Sequence, residues 1–215
     1  NHLAVANIAY ICADIESVLI HISTDYVFDG EASAAYGEEA QTNPQGVYGK
    51  TKLLGDIAIQ QSGCKHLIIR TAWVFSEYGN NFMKTMLRLG AERDELSIVG
   101  DQIGCPTYAQ DLAKAIVAAL PKVESNQWEY GVYHYCGDSA CSWYEFAEEI
   151  FKQAKEFGFK VPNRINSITT ADYPTPAKRP AYSVLDCSKT TTAFDITASN
   201  WRQGIVDVMG RLNSK

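Results

Sequence analysis

The sequence predicts an α/β chain: an incomplete, doubly wound parallel sheet followed by a smaller C-terminal lobe. Three observations predict it. Continuous apolar runs alternate with amphipathic segments, the pattern of parallel strands buried on both faces by crossover helices. The alternation weakens after about residue 137, where loops lengthen and prolines gather at Pro162, Pro174, Pro176 and Pro180. The chain also opens at Asn1-His2-Leu3, without Met and already inside an apolar-periodic segment, so it reads as a piece of a longer pattern.

Residues 1–13 place Leu3, Ala6, Ile8 and Ala13 at loosely helical spacing. Residues 17–23 (SVLIHIS) form a β-branched apolar run, a buried strand, and Asp29-Gly30 marks the turn after it. A polar loop leads to a helix over 47–61 with Leu53, Leu54, Ile57 and Ala58 on one side. A second strand is predicted at 66–70 (HLIIR), a helix at 80–91 and a short strand at 96–99. The Gly104/Pro106 loop follows, then a helix over 109–120 that Pro121 is expected to close. Residues 131–135 read as a strand. Ser142 and Glu145 are spaced as a capping box, opening a helix that runs to about Phe157 and stops at Gly158. Short helices are expected near 188–194 and 199–213.

A chain of 215 residues buries a core without disulfide staples. Its 46% hydrophobic and 20% charged residues are ordinary for a globular protein, and no apolar run is long enough to span a membrane. A net charge of −6 argues against a nucleic-acid partner, which needs a basic face, but leaves room for an anionic small ligand. The cysteines (Cys12, Cys64, Cys105, Cys136, Cys141, Cys187) form no CxxC pair and read as buried, reduced thiols, which suits a cytoplasmic location. His21, His66 and His134 lie in strand patterns and read as structural. With no clustered carboxylates or paired histidines, no metal site is read.

The chemical signal is Tyr48-Gly49-Lys50-Thr51-Lys52. Residues four apart share a helix face, so Tyr48 and Lys52 stack one turn apart. A phenol has a reference pKa near 10, and an ammonium beside it stabilises the phenolate, which fits such a pair to pass a proton to a carbonyl oxygen. Tyr-x-x-x-Lys alone is common by chance. Its context is more specific: Thr24 sits where the first clear strand ends, and open α/β sheets bind ligands outside the carboxyl ends of their strands. The second strand exits into Arg70-Thr71-Ala72-Trp73, facing the same crevice.

Six ordered blocks carry a resemblance: STDYVFDG (23–30), NPQGVYGKTKLLGD (43–56), RTAWVFSEYGNNFMKTMLRL (70–89), DQIGCPTYAQDLA (101–113), RPAYSVLDCSK (179–189) and NWRQGI (200–205). Together they resemble the dTDP-4-dehydrorhamnose reductase family of extended short-chain dehydrogenase/reductases. The resemblance implies a Rossmann-like fold with a sugar-nucleotide substrate-binding lobe. Residues 1–78 and 107–136 would be what this chain holds of the NADP-binding domain, and 79–106 and 137–215 mainly the lobe. It implies reduction of the C4 keto group of dTDP-4-dehydro-L-rhamnose by NADPH, with NADH left open. Tyr48 resembles the proton donor. Lys52 looks like the residue that lowers its pKa and holds the nicotinamide ribose, and Thr24 like the hydroxyl that bonds the reacting oxygen.

Asp25, Val27, Trp73 and Gln102 look like sugar-pocket residues. Arg70 and Thr71, with Tyr48 and Lys52, look like the nicotinamide end, and Asn1 like a supporting residue on the preceding helix. Lys178-Arg179-Pro180 is the candidate for diphosphate contacts. Each has a plainer reading: Thr24 as a turn cap, Asp25 as an Asx turn, Trp73 as core, Asn1 as a frayed end, Lys178 and Arg179 as solvated charges. Arg88 and Arg93 read as helix-surface charges. The family is linked to magnesium, but no residue here is assigned to it, and a homodimer is left open.

No glycine-rich turn of the dinucleotide-binding kind occurs. By family analogy roughly eighty residues carrying it precede Asn1. The expectation is a longer parent protein, an inactive fragment when isolated, and an exposed sheet edge where further strands pair. Other readings are a sugar-nucleotide reductase or epimerase of the same fold, including a GDP-fucose synthase, or a non-catalytic subunit like the regulatory partner of methionine adenosyltransferase.

Overall fold

The computed structural model describes residues 1–214. The elements run α1 (Leu3–Asp14), β1 (Leu19–Thr24), α2 (Val47–Gln61), β2 (His66–Thr71), β3 (Val74–Phe75), α3 (Phe82–Glu92), β4 (Glu95–Val99), β5 (Ile103–Gly104) and β6 (Thr107–Tyr108). They continue through α4 (Ala109–Glu124), β7 (Gly131–His134), β8 (Cys141–Ser142), α5 (Trp143–Glu156), β9 (Arg164–Ile168), α6 (Ser188–Phe194) and α7 (Trp201–Asn213).

The central sheet has the order β1-β2-β7, all parallel. Alternate residues of each strand face opposite ways, and both sides are apolar, which is why the strands read as unbroken apolar runs. Ile68 and Val132 pack toward Ala9 of α1 and Ile59 of α2. Leu67, Ile69 and Tyr133 pack toward Leu112, Ala115 and Ala119 of α4 and Phe194 of α6. Helices therefore cover both faces, the doubly wound arrangement. Among the described residues, β2 is the sole sheet partner of β1, whose other edge carries no strand.

The lobe has its own core. Met83 and Met86 of α3, Phe146, Ile150 and Phe151 of α5, and Trp201, Ile205 and Met209 of α7 close on the parallel pair β4–β9. Phe75 and Tyr108, on the short pair β3–β6 that leads out of the central sheet, join this cluster.

Two local expectations are corrected. Pro121 does not close its helix: α4 continues to Glu124. A proline fits helical φ and costs one backbone bond, to the carbonyl of Val117. Val117 lies on the exposed side, while Val123 on the last turn is buried and holds that turn to the core. The strand β9 was not expected, because Ile165 and Ile168 are three apart and break a period of two. It exists by pairing: Glu95 to Val99 run in register with Arg164 to Ile168. The capping box at Ser142 forms as expected, with the Glu145 carboxylate accepting from the Ser142 N–H and Ser142 Oγ accepting from the Glu145 N–H.

Candidate active site at the carboxyl ends of the strands

The register sets Thr24 beside Thr71 at the last rung of β1–β2, and Ser23, Arg70 and His134 side by side one rung back. Thr24 then caps a short 3-10 turn over Asp25–Val27, accepting the Tyr26 N–H at 3.3 Å and donating to Asp25 Oδ1 at 2.9 Å. Asp25 is buried and its Oδ2 has no hydrogen-bond partner. Burial pushes its carboxyl up to about 6, even though the Thr24 and Ser183 hydroxyls favour the charged form.

The N-terminus of α2 comes down on this turn. A Cβ at position 49 would overlap the Tyr26 carbonyl oxygen, so the glycine between Tyr48 and Lys50 is required by the close approach. That approach puts the Tyr48 ring edge-on to Tyr26, centroids 5.6 Å apart. Tyr48 is 52% exposed, and among the described residues its hydroxyl has no hydrogen-bond partner. Lys52 is buried one turn on, with Nζ donating to the Ile22 carbonyl and 3.3 Å from His21 Nε2. Burial lowers the Lys52 pKa, and Asp56 opposes that. His21, pushed down to about 4 by burial and then by Lys52, is neutral and accepts.

Beneath α2 lies a buried polar row that sequence reasoning missed. Asp56 accepts from Ser23 Oγ at 2.8 Å and from Arg70 Nε at 3.3 Å, and its Oδ1 is unpartnered. The Arg70 guanidinium lies 5.3 Å over the Phe28 ring and reaches the Glu38 carbonyl at 3.5 Å. Glu38 in turn accepts the His134 N–H at 3.0 Å. Asp56 sits one turn beyond Lys52, and that spacing was the available signal. His134 is fully buried and held at about 3, chiefly by burial and then by Arg70.

The expected site residues therefore divide. Thr24, Asp25, Tyr48 and Lys52 come together. Arg70 is committed to Asp56 and does not reach the surface. Thr71 is buried against Thr107 Oγ1 at 3.4 Å. Val27 is 0% exposed, inside an apolar cluster with Phe28, Ala72 and Leu185. Trp73 has φ +48°, a strained value for a bulky residue, and stacks on Trp143 at 3.5 Å with its indole against Gly104. Gln102 is buried, donating to Thr170 Oγ1 at 3.0 Å, while Asp101 accepts the Thr170 N–H at 2.9 Å.

Asn1 packs on α2 through Thr51 and Gly55. Lys178 and Arg179 are exposed, Lys178 loosely paired with Glu31 at 3.8 Å and Arg179 acting on the Tyr26 phenol. Arg88 pairs with Glu92 on the surface of α3. A groove of about 470 Å³ between α5, β9 and α7 is remote from these groups; its Glu145 is spent on the helix cap.

Fold and site together define a doubly wound α/β chain that presents a Tyr–Lys helix at the carboxyl ends of its strands. Sequence comparison then places it. The chain belongs to the family described as the RmlD substrate binding domain, whose model matches residues 1–214. It is 46% identical over 195 residues to a dTDP-4-dehydrorhamnose reductase of Aggregatibacter actinomycetemcomitans, covering 89% of this chain and 66% of that protein. The chain thus spans just under two thirds of that relative.

Solved structures agree. A dTDP-4-dehydrorhamnose reductase of Clostridium acetobutylicum superposes with a TM-score of 0.87 at 41% identity, covering 99% of this chain and 72% of that one. One from Bacillus anthracis, in complex with NADP, gives 0.88 at 34%, covering 98% and 72%.

Proposed function

We propose that this chain is the substrate-side part of an NADPH-dependent reductase that converts dTDP-4-dehydro-L-rhamnose to dTDP-L-rhamnose. The observation that carries the proposal is the approach of α2 to the turn after β1 at Gly49, which gathers Tyr48, Lys52, Thr24 and Asp25. The relatives' names supply the substrate and the cofactor class.

The residues suit the nicotinamide end of the cofactor: an open phenol hydroxyl, and an ammonium with three donors of which the Ile22 carbonyl and His21 take two. Bound NADPH would supply the hydride to C4. Tyr48 donates the proton to the C4 oxygen, and Lys52 holds the nicotinamide ribose. Thr24 has one hydroxyl proton, now given to Asp25 Oδ1. With its carboxyl held near 6, Asp25 is available as the acid; once protonated it donates to Thr24, whose own proton is then free for the keto oxygen. Trp73 supplies an apolar face to the sugar ring, and Arg179, at the rim, is the nearer cation for the diphosphate. Among the described residues there is no glycine-rich pyrophosphate turn. The free thiols suit a reducing compartment such as the cytoplasm.

The test is NADPH oxidation by the full-length protein with dTDP-4-dehydro-L-rhamnose, alongside Tyr48→Phe. Loss of the proton donor should lower kcat about 10²–10⁴-fold, with NADPH affinity within a few fold of the parent. A folded, NADPH-binding parent without turnover on this substrate would overturn the reading.

A further inference from the structure

We propose that Cys136 and Cys187 form a peroxide-sensitive dithiol, closing to a disulfide that ties the end of β7 to the start of α6 at the floor of the site. This rests on the contact between the two thiols and stands apart from the reading above.

All six cysteines were expected to be buried, but Cys12 and Cys187 are only half-buried. Cys187 lies in the residue before α6, and its Sγ is 3.6 Å from Sγ of Cys136, which follows β7 and is fully buried. The two thiols already touch, and a disulfide needs about 1.5 Å of further approach. Cys105 makes another thiol hydrogen bond to Cys136, so three sulfurs share one apolar cluster with Val27, Phe28 and Ala72. The two partners differ in the way a redox pair requires. The hydrogen bond from Cys136 lowers the Cys187 pKa, and Cys187 is the one solvent reaches. Cys136 is held high by its thiol neighbours and by burial. Cys187 is therefore the attacking thiol and Cys136 the resolving one.

The chemistry balances with hydrogen peroxide as oxidant. The Cys187 thiolate attacks one peroxide oxygen, the O–O bond breaks, and hydroxide leaves and takes up a proton as water, giving Cys187 sulfenic acid. The Cys136 sulfur then attacks the Cys187 sulfur, the S–O bond breaks, and the departing hydroxide takes the Cys136 proton as a second water. Two thiols lose two electrons and one peroxide becomes two waters.

The bond would reach the site through a short segment. Four residues before Cys187, the Ser183 N–H and hydroxyl both donate to the Ile103 carbonyl of β5, and the hydroxyl also acts on Asp25. Beyond Cys187, Lys189 and Thr190 already anchor α6 to the carbonyls of Val132 and His134. Closing the pair adds a covalent tie where the Leu185 carbonyl already accepts from the Cys136 thiol at 3.7 Å.

The experiment treats the full-length protein with hydrogen peroxide, quenches in acid and maps the peptides. The expected result is a mass loss of about 2 Da, loss of two titratable thiols, a Cys136–Cys187 linked peptide, and full reversal by dithiothreitol. Cys187→Ser should abolish the link, whereas Cys64→Ser, in the cluster beneath α1 and α2, should leave it. Added oxygen in place of the mass loss, a link between other cysteines, or six intact thiols under peroxide that fully oxidises free cysteine would each overturn the proposal. If Cys187→Ser fails to fold, the parent peptide map decides alone.

Discussion

The two halves of the site are built from opposite materials. Beneath Tyr48 and Lys52 the chain buries polar groups, an ion pair among them: Asp56, Arg70, Ser23 and His134 lie in one row between α2 and the sheet. Beneath Trp73 it buries rings: Trp143, Phe82 and Phe146 stack behind it, with Trp73 and Trp143 parallel within 7°. A buried ion pair adds little net stability over an apolar replacement, yet breaking one partner is costly, so it acts as a device for fixing positions. Aromatic packing stabilises outright but tolerates rearrangement. The half around Tyr48 and Lys52, the proposed proton-handling half, is thus held by all-or-none bonds, and the half around Trp73, the proposed sugar-binding half, by contact area.

The largest effect expected from this contrast is at Arg70. Replacing it with Met leaves Asp56 fully buried without its hydrogen-bonded cation, only Lys52 still acting on it, and should cost about 3–5 kcal/mol, read by urea unfolding of the full-length protein. Asp56 already has its carboxyl raised by burial despite Ser23 and Arg70. Without Arg70 its folded pKa rises further above the unfolded one, so stability falls as pH rises, and the loss should be larger at pH 8 than at pH 5. Adding Asp56→Asn should recover part of it. A loss near zero at pH 8 would mean the row is ornamental and the comparison fails.

On the aromatic side, Trp143→Ala should cost about 3 kcal/mol. It removes the plane that holds Trp73 in its left-handed conformation, so KM for the sugar nucleotide should rise more than kcat falls. The exciton-coupled circular dichroism of the stacked indoles should vanish. A variant with unchanged KM would separate the stack from binding.

Asp25 tests the boundary between the halves. A carboxyl held at about 6 instead of 3.8 favours the folded state fully below pH 4 and loses that contribution as pH rises through 6. The difference is ~3 kcal/mol at neutral pH, and the unpaired N–H of an amide takes back about 1 kcal/mol. Asp25→Asn should therefore gain about 2 kcal/mol at pH 8, and the thermal midpoints of the two proteins should converge toward pH 4. The same variant should lose activity, since the acid that frees the Thr24 proton is gone. Equal stabilities at pH 8 would show that burial does not hold the Asp25 carboxyl above its ordinary value in the folded protein.

The same contrast explains what could be read from the residues alone. The strands at 66–71 and 131–134 and the helix at 47–61 were legible because burial on both faces leaves unbroken apolar runs. Tyr48 and Lys52 were legible because helical spacing is local. The burial of Arg70 and Val27 was not legible because sequence order says that they leave a strand near the crevice, not which way each side chain points. Arg70 shares its face with Ser23 and meets Asp56 from another helix. Likewise β9 and the Cys136–Cys187 contact depend on partners more than fifty residues away, which no local period records.

The smallest effect belongs to a feature that was fully local. Ser142 and Glu145 close a reciprocal cap at the start of α5, and Ser142 also pairs with Ile103 across β5–β8. Ser142→Ala removes one bond to an otherwise unpaired helix N–H and should cost about 1 kcal/mol, lowering the unfolding midpoint without changing the slope of the urea transition. The lobe carries Trp143 as the first residue of this helix, so fraying there should reach Trp73 and raise KM slightly while leaving kcat alone. A drop in kcat with unchanged KM would instead place the helix start in contact with the proton-handling half, and the division between the two halves would have to be redrawn.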